Sequence, residues 1–161
     1  MNSKKTSIIT GKKHSGKTTF LLNRIAELQS EGITVGGLVS VGTFKNGSRF
    51  DFKLLDVSTD EKIGFLSQEF CKTCKKIGRF YINPIAFQFG IQVLEKCLKD
   101  RIQTIVLDEI GPLELKDEGW AAILPELLES ESDLILTVRK ELLQEVISKW
   151  NIVCDQIIEV E

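Results

Sequence analysis

The run Gly11-Lys12-Lys13-His14-Ser15-Gly16-Lys17-Thr18 carries the spacing G-x-x-x-x-G-K-[ST] without gap or substitution. That spacing makes a phosphate cradle. Gly11 and Gly16 let the backbone turn where a side chain would clash, so the amide N–H groups of the loop, through Lys12, Lys13, His14 and Ser15, meet phosphate oxygens. Lys17 adds a point charge for the β- and γ-phosphates, and Thr18 offers a hydroxyl to Mg²⁺. A helix beginning here, with Thr19 in its first turn, adds the positive end of its dipole. A second constellation is Ile105-Val106-Leu107-Asp108-Glu109, an apolar run ending in two acids. Asp108 is placed to hold magnesium directly or through a water, and Glu109 to position or deprotonate the attacking water. The transition state of phosphoryl transfer also calls for a further cation. Arg139 is the favoured candidate, because it closes the strand-like run Ile135-Leu136-Thr137-Val138; Lys12, Lys13 and Lys140 are the others.

The surrounding elements must bring these residues together. Ser7-Ile8-Ile9-Thr10 reads as a short apolar strand before the loop, and Leu21, Ile25 and Leu28 recur on one helix face before Gly32 stops it. Residues 33–40 read as a strand with a bulge or close contact at Gly36-Gly37. Asn46-Gly47 is a hairpin signal, and Phe50 to Leu55 alternates as its returning strand. Residues 79–82 are a further extended piece. Asn83-Pro84 is an N-cap with proline in the first turn, and Ile91, Leu94 and Leu98 are the predicted buried stripe of that helix. Residues 104–107 and 133–138 read as strands buried on both faces. A helix is expected from Glu118 to Glu129, bent or restarted at Pro125, and another along Leu142, Leu143, Val146, Ile147 and Trp150. Residues 156–160 are a possible closing strand. Strands alternating with helices at both ends imply an α/β fold: a mostly parallel sheet, helices on both faces, and an inserted antiparallel hairpin. In such sheets ligands gather at the carboxyl edge, where both motifs end.

The chain of 161 residues fits one domain spanning 1–161, and 42% apolar with 27% charged residues predicts a folded core. A net charge of −2 supplies no basic excess for nucleic acid. The start leads from Met1-Asn2-Ser3-Lys4-Lys5 into a strand, with no apolar leader and no membrane-length run, so a cytoplasmic protein is expected. Of the cysteines, Cys97 and Cys154 read as small core residues, and Cys71-Lys72-Thr73-Cys74 as a reduced loop, with half a zinc knuckle or a redox pair as the alternative.

With both motifs located, the chain resembles the small THEP-type nucleoside-triphosphatases, the cancer-related NTPase group. The resemblance is carried by Gly11 to Thr19, by Val35-Gly36-Gly37-Leu38 with the Asn46-Gly47 hairpin, by Ile77-Gly78-Arg79-Phe80-Tyr81-Ile82, and most specifically by Leu107-Asp108-Glu109-Ile110-Gly111-Pro112-Leu113-Glu114-Leu115. It departs at Val41-Gly42-Thr43-Phe44, where acidic residues and an arginine are expected. The resemblance implies a RecA-like core and slow Mg²⁺-dependent hydrolysis of ATP, GTP and other nucleoside triphosphates with little base selectivity. It names no protein partner. The alternatives are a low-turnover nucleotide-binding adaptor of the molybdenum-cofactor-maturation kind and, less favoured, a small-molecule kinase.

Overall fold

The protein, described from a computed structural model over residues 3–161, places all of its strands in one sheet. In chain order the elements are β1 (Thr6–Gly11), α1 (Lys17–Ser30), β2 (Val35–Lys45), β3 (Ser48–Asp56), β4 (Lys62–Ser67), β5 (Lys76–Ile77), β6 (Phe80–Ile82), α2 (Pro84–Lys99), β7 (Thr104–Ile110), α3 (Pro112–Leu115), α4 (Leu124–Glu129), β8 (Asp133–Arg139), α5 (Leu143–Trp150) and β9 (Gln156–Glu159). The nine-stranded order is β5-β6-β4-β3-β2-β7-β8-β1-β9. β2, β7, β8, β1 and β9 run parallel. β3, β4, β6 and β5 extend the sheet by antiparallel pairing.

The central strands read as unbroken apolar runs because they are covered on both faces. Side chains alternate across a strand, so neighbours go to opposite layers. Ile9, Val106 and Ile135 meet Leu21, Ile25 and Leu28 of α1. Ile8, Ile105, Leu107, Leu134 and Leu136 face the other layer, with α2, α4 and α5. Fully burying each of these side chains contributes about 1.5–3 kcal/mol, which sets α1 firmly behind the phosphate loop.

Several expectations are corrected. The insertion is larger than one hairpin, because β4, β6 and β5 continue it. No helix starts at Glu118: residues 112–115 form one short helix, turns follow, and α4 begins at Leu124 with Pro125 in its first turn. Proline at N1 or N2 lacks an N–H that no helical carbonyl would have accepted, so it opens this helix instead of bending one. On α2 the buried stripe is Ala86, Gly90, Val93, Leu94 and Cys97, with Ile91 and Leu98 only half-buried against it. The Cys71–Cys74 pair is a disulfide and not a reduced loop, since a turn brings the Cα atoms to 5.3 Å. Cys97 is buried, but Cys154 is only half-buried. No helix among the described residues is long and apolar enough to cross a membrane.

One glycine joins the two halves of the sheet. Gly37 sits on β2 at φ 117°, paired with Val106 of β7, and a Cβ there would fall inside the Val106 backbone carbonyl. The parallel and antiparallel halves therefore meet across a position only glycine can occupy. Gly37→Ala is expected to lower the free energy of unfolding by about 3 kcal/mol or to prevent folding, because it adds a backbone clash to a left-handed φ. Denaturant unfolding checks this, and an unchanged midpoint would contradict the pairing described.

Candidate functional site

Three strand ends converge on the phosphate loop. Gly11, the last residue of β1, lies in register with Arg139, the last of β8, and β7 lies on the far side of β8. The loop then turns through His14 at φ 63° and Gly16 at φ 95° before α1 starts. Its amides therefore cap the amino end of a 14-residue helix, where the dipole favours an anion.

Lys17 is the first residue of that helix and is 9% exposed. Its Nζ donates to the carbonyls of Gly11 at 3.2 Å and Lys12 at 2.8 Å, which hold it across the mouth of the loop. Burial pushes its pKa below the usual lysine value; Glu109 and Asp108 act the other way, and Arg139 pushes it down further. These four charged groups share one field. A polyanion entering here would relieve the burial cost of Lys17 and the repulsion between it and Arg139.

Asp108 is almost fully enclosed, at 4% exposure. Its Oδ1 accepts from the Thr137 hydroxyl at 2.5 Å. Its Oδ2 accepts from the Thr18 hydroxyl at 3.0 Å and from the Ser40 backbone N–H at 3.1 Å. Burial raises its pKa, and those bonds and Lys17 oppose the rise. The carboxylate thereby links β7 to β8, α1 and β2. The Ser40 contact depends on topology: β2 pairs with β7 only as far as Leu38, which leaves the Ser40 N–H pointing at the end of β7.

A bulge decides where Glu109 goes. Leu107 is opposite Leu136 and Ile110 is opposite Val138, so Asp108 and Glu109 together face the single residue Thr137. Glu109 takes φ 61°, rare for a residue with a side chain, and its N–H donates to the Thr137 hydroxyl at 2.7 Å. Thr137, fully buried, thus accepts from the Glu109 backbone and donates to the Asp108 carboxylate. Glu109 itself is exposed toward the cleft.

The structure brings most of the predicted site together. Lys13, His14, Ser15, Gly16, Lys17, Thr18, Asp108, Glu109 and Arg139 line one cavity of about 600 Å³. Gly11 and Lys12 stand behind that wall, contributing the carbonyls that hold Lys17. Thr19 is exposed on the first turn of α1. Lys140, a weaker candidate, is engaged by Glu159 at 2.8 Å. Sequence reasoning missed Thr137 and Ser40. Thr137 had left a trace, a lone hydroxyl inside the apolar run Leu134–Val138, whereas Ser40 contributes a backbone group that no side-chain pattern reveals. It also missed the far wall of the cavity, where Phe52, Phe65, Phe80 and Trp120 come from four separate elements or loops.

The donor set suits a hard divalent cation. Thr18 and Asp108 offer oxygen ligands side by side, next to the phosphate loop. Among the described residues no cluster of three or more His, Cys, Asp or Glu could hold a metal by protein ligands alone. An ion here would complete its shell with phosphate oxygens and water, as magnesium does.

Comparison with known proteins follows the same lines. The chain is 30% identical over 138 residues to the nucleoside-triphosphatase THEP1 of Pyrococcus abyssi, covering 83% of this chain and 74% of that one. It is 28% identical over 137 residues to the THEP1 of Thermofilum pendens, covering 84% and 74%. In structure it resembles the crystal structure of THEP1 from Aquifex aeolicus with a TM-score of 0.73 at 23% identity, over 96% of this chain and 89% of that one. It also resembles the solution structure of a human cancer-related nucleoside triphosphatase with a TM-score of 0.74 at 19% identity, over 98% and 89%. A family model described as NTPase matches residues 6–159, and with this P-loop α/β architecture the chain belongs to that NTPase family.

Proposed function

We propose that the protein is a magnesium-dependent nucleoside triphosphatase that releases phosphate from ATP, GTP, CTP and UTP alike, the whole chain acting as one domain in the cytoplasm. The observation that carries this reading is the Glu109 carboxylate held at a bulge beside Lys17, Asp108 and Arg139. A nucleotide-binding adaptor needs the loop and Lys17 but has no use for a strained acid beside them. The loop amides and Lys17 grip the triphosphate, and Thr18 and Asp108 would hold the cation. When bound, magnesium neutralises charge on the β- and γ-oxygens. Glu109 orients the attacking water and takes its proton, and Arg139 offers a planar fork to the γ-phosphate oxygens. Base selectivity is low because the groups that grip the nucleotide, the loop amides and Lys17, address phosphate and not the base. No nucleic acid or membrane enters this scheme.

Phosphate release measured over the four nucleotides tests the reading. Rates within about one order of magnitude of each other, abolished by a chelator, are expected; a site that read the base through buried hydrogen bonds would discriminate far more strongly. A preference above roughly a thousandfold would overturn the broad specificity. Glu109→Gln should retain nucleotide binding by calorimetry while turnover falls by about two orders of magnitude or more, the scale of a lost general base. Equal turnover would favour the adaptor.

Thr137→Val removes the hydroxyl that aligns both acids and keeps the shape of the side chain. We expect a drop in kcat of about 10–100-fold, the usual effect of losing a group that orients a metal ligand. Thr137→Ser should restore most of it. A valine variant with unchanged kcat and lowered stability would reduce Thr137 to a packing residue.

A further inference from the structure

The cavity of about 600 Å³ extends beyond the phosphate loop and the two acids. It runs from Lys17 and Glu109 to a wall of aromatic rings on the antiparallel side of the sheet. Phe52 of β3 and Phe80 of β6 meet edge to face with centroids 5.4 Å apart. Phe65 of β4 lies 6.1 Å from Trp120, and Phe87 of α2 lies 5.1 Å from it. Phe65 and Trp120 also belong to the buried core, but none of these rings grips phosphate or places the water in the reaction above. Their mutual contacts fix them in advance, which lowers the ordering cost of receiving a flat apolar ligand.

A second feature shares the wall. Glu114 is 3% exposed and lines the cavity. Its Oε1 accepts from the Gly111 N–H at 2.8 Å and its Oε2 from the Trp120 N–H at 3.0 Å. Each carboxylate oxygen can accept a further bond. Burial raises the Glu114 pKa, and the backbone bonds oppose that rise. A buried carboxylate beside aromatic faces recognises a planar ring that carries N–H donors.

The direction of the cavity matters. Lys17 serves the β- and γ-phosphates, and Glu109 stands at the same end. From there the space continues toward β3, β4 and β6, so a molecule seated there would adjoin the γ-phosphate end. We propose that this cavity is a second-substrate site, which binds a small aromatic nitrogen heterocycle bearing a hydroxyl group and presents that hydroxyl, in place of water, to the γ-phosphoryl group. The acceptor oxygen forms a bond to the γ-phosphorus, and the bond from that phosphorus to the β,γ-bridging oxygen breaks. The electron pair leaves with the nucleoside diphosphate, and the hydroxyl proton passes to the Glu109 carboxylate. The products are a phosphomonoester and a nucleoside diphosphate. The proposal rests on the nucleotide site described under the proposed function and adds an acceptor to it.

Phosphorus NMR of the full-length protein with magnesium ATP tests this, using cytidine and adenosine as probes whose rings carry an amino N–H donor and benzyl alcohol as a probe without one. A phosphomonoester forming from cytidine or adenosine at least about tenfold faster than from benzyl alcohol is the expected result. Two variants locate the event: Glu114→Gln, and Ile77→Trp, which adds bulk to the cavity wall. Each should lower the ratio of monoester to inorganic phosphate by about tenfold, whereas general damage to the fold would lower both products together. If Glu114→Gln fails to fold, Ile77→Trp decides alone. Inorganic phosphate as the sole product with every probe, or an unchanged ratio in the folded variants, would overturn the acceptor site. So would probes that merely raise the KM for ATP, because the cavity would then hold the nucleotide's own base. The probe-free arm separates the two readings: phosphate released there without monoester elsewhere sinks the acceptor site alone, and no release in any arm sinks the nucleotide site with it.

Discussion

The Asp108 carboxylate is the interaction on which the site depends. An ion enclosed to this degree is costly unless each oxygen is bonded, and losing one partner of such a group typically costs several kcal/mol. Here the partners come from separate elements: Thr137 from β8, Thr18 from α1, and the Ser40 amide from β2. Satisfying one buried charge therefore fixes where the phosphate loop, the neighbouring strand end and the start of the insertion lie. The same carboxylate is the cation ligand of the proposed reaction, so the constraint that assembles the carboxyl edge would also prepare it for that role.

Strain is concentrated one residue further on. Glu109 occupies the left-handed region at φ 61°, a conformation that costs of order 1–3 kcal/mol for a residue with a side chain. Regular alternation would have placed Asp108 and Glu109 on opposite faces of the sheet. The bulge breaks that alternation and leaves one acid buried and the next exposed in the same cleft. Thr137 holds the strained peptide by accepting the Glu109 N–H. The conformation is maintained by a hydrogen bond and by packing on the neighbouring strand, not by any preference of glutamate.

The antiparallel extension changes the character of the cleft. A parallel core alone would present a phosphate loop and two acids to solvent. β3, β4 and β6 add a wall of aromatic rings, α3 adds the buried Glu114 carboxylate, and the turn after it adds Trp120. Gly37 makes the attachment feasible, because only a residue without Cβ lets β2 pass so close to β7 while turning toward β3.

One end of this site was recognisable from residue types and their local spacing. The phosphate loop was legible because its function needs particular residue types at fixed local spacing, and the alternation of strands and helices was legible because burial on one or two faces imposes a period. Asp108 and Glu109 were visible as acids ending an apolar run. The relations between distant segments were not recognisable in this way. The opposition of Thr137 to the Asp108–Glu109 bulge comes from strand register, which lies outside any local window. The Ser40 contact is a backbone group freed where β2 leaves β7. The helix read from Glu118 begins only at Leu124, with Pro125 in its first turn, because periodicity alone could not choose between a proline that bends a helix and one at which it restarts. The aromatic wall draws on residues far apart in the chain, and only the folding of the insertion over the carboxyl edge brings them beside the phosphate loop.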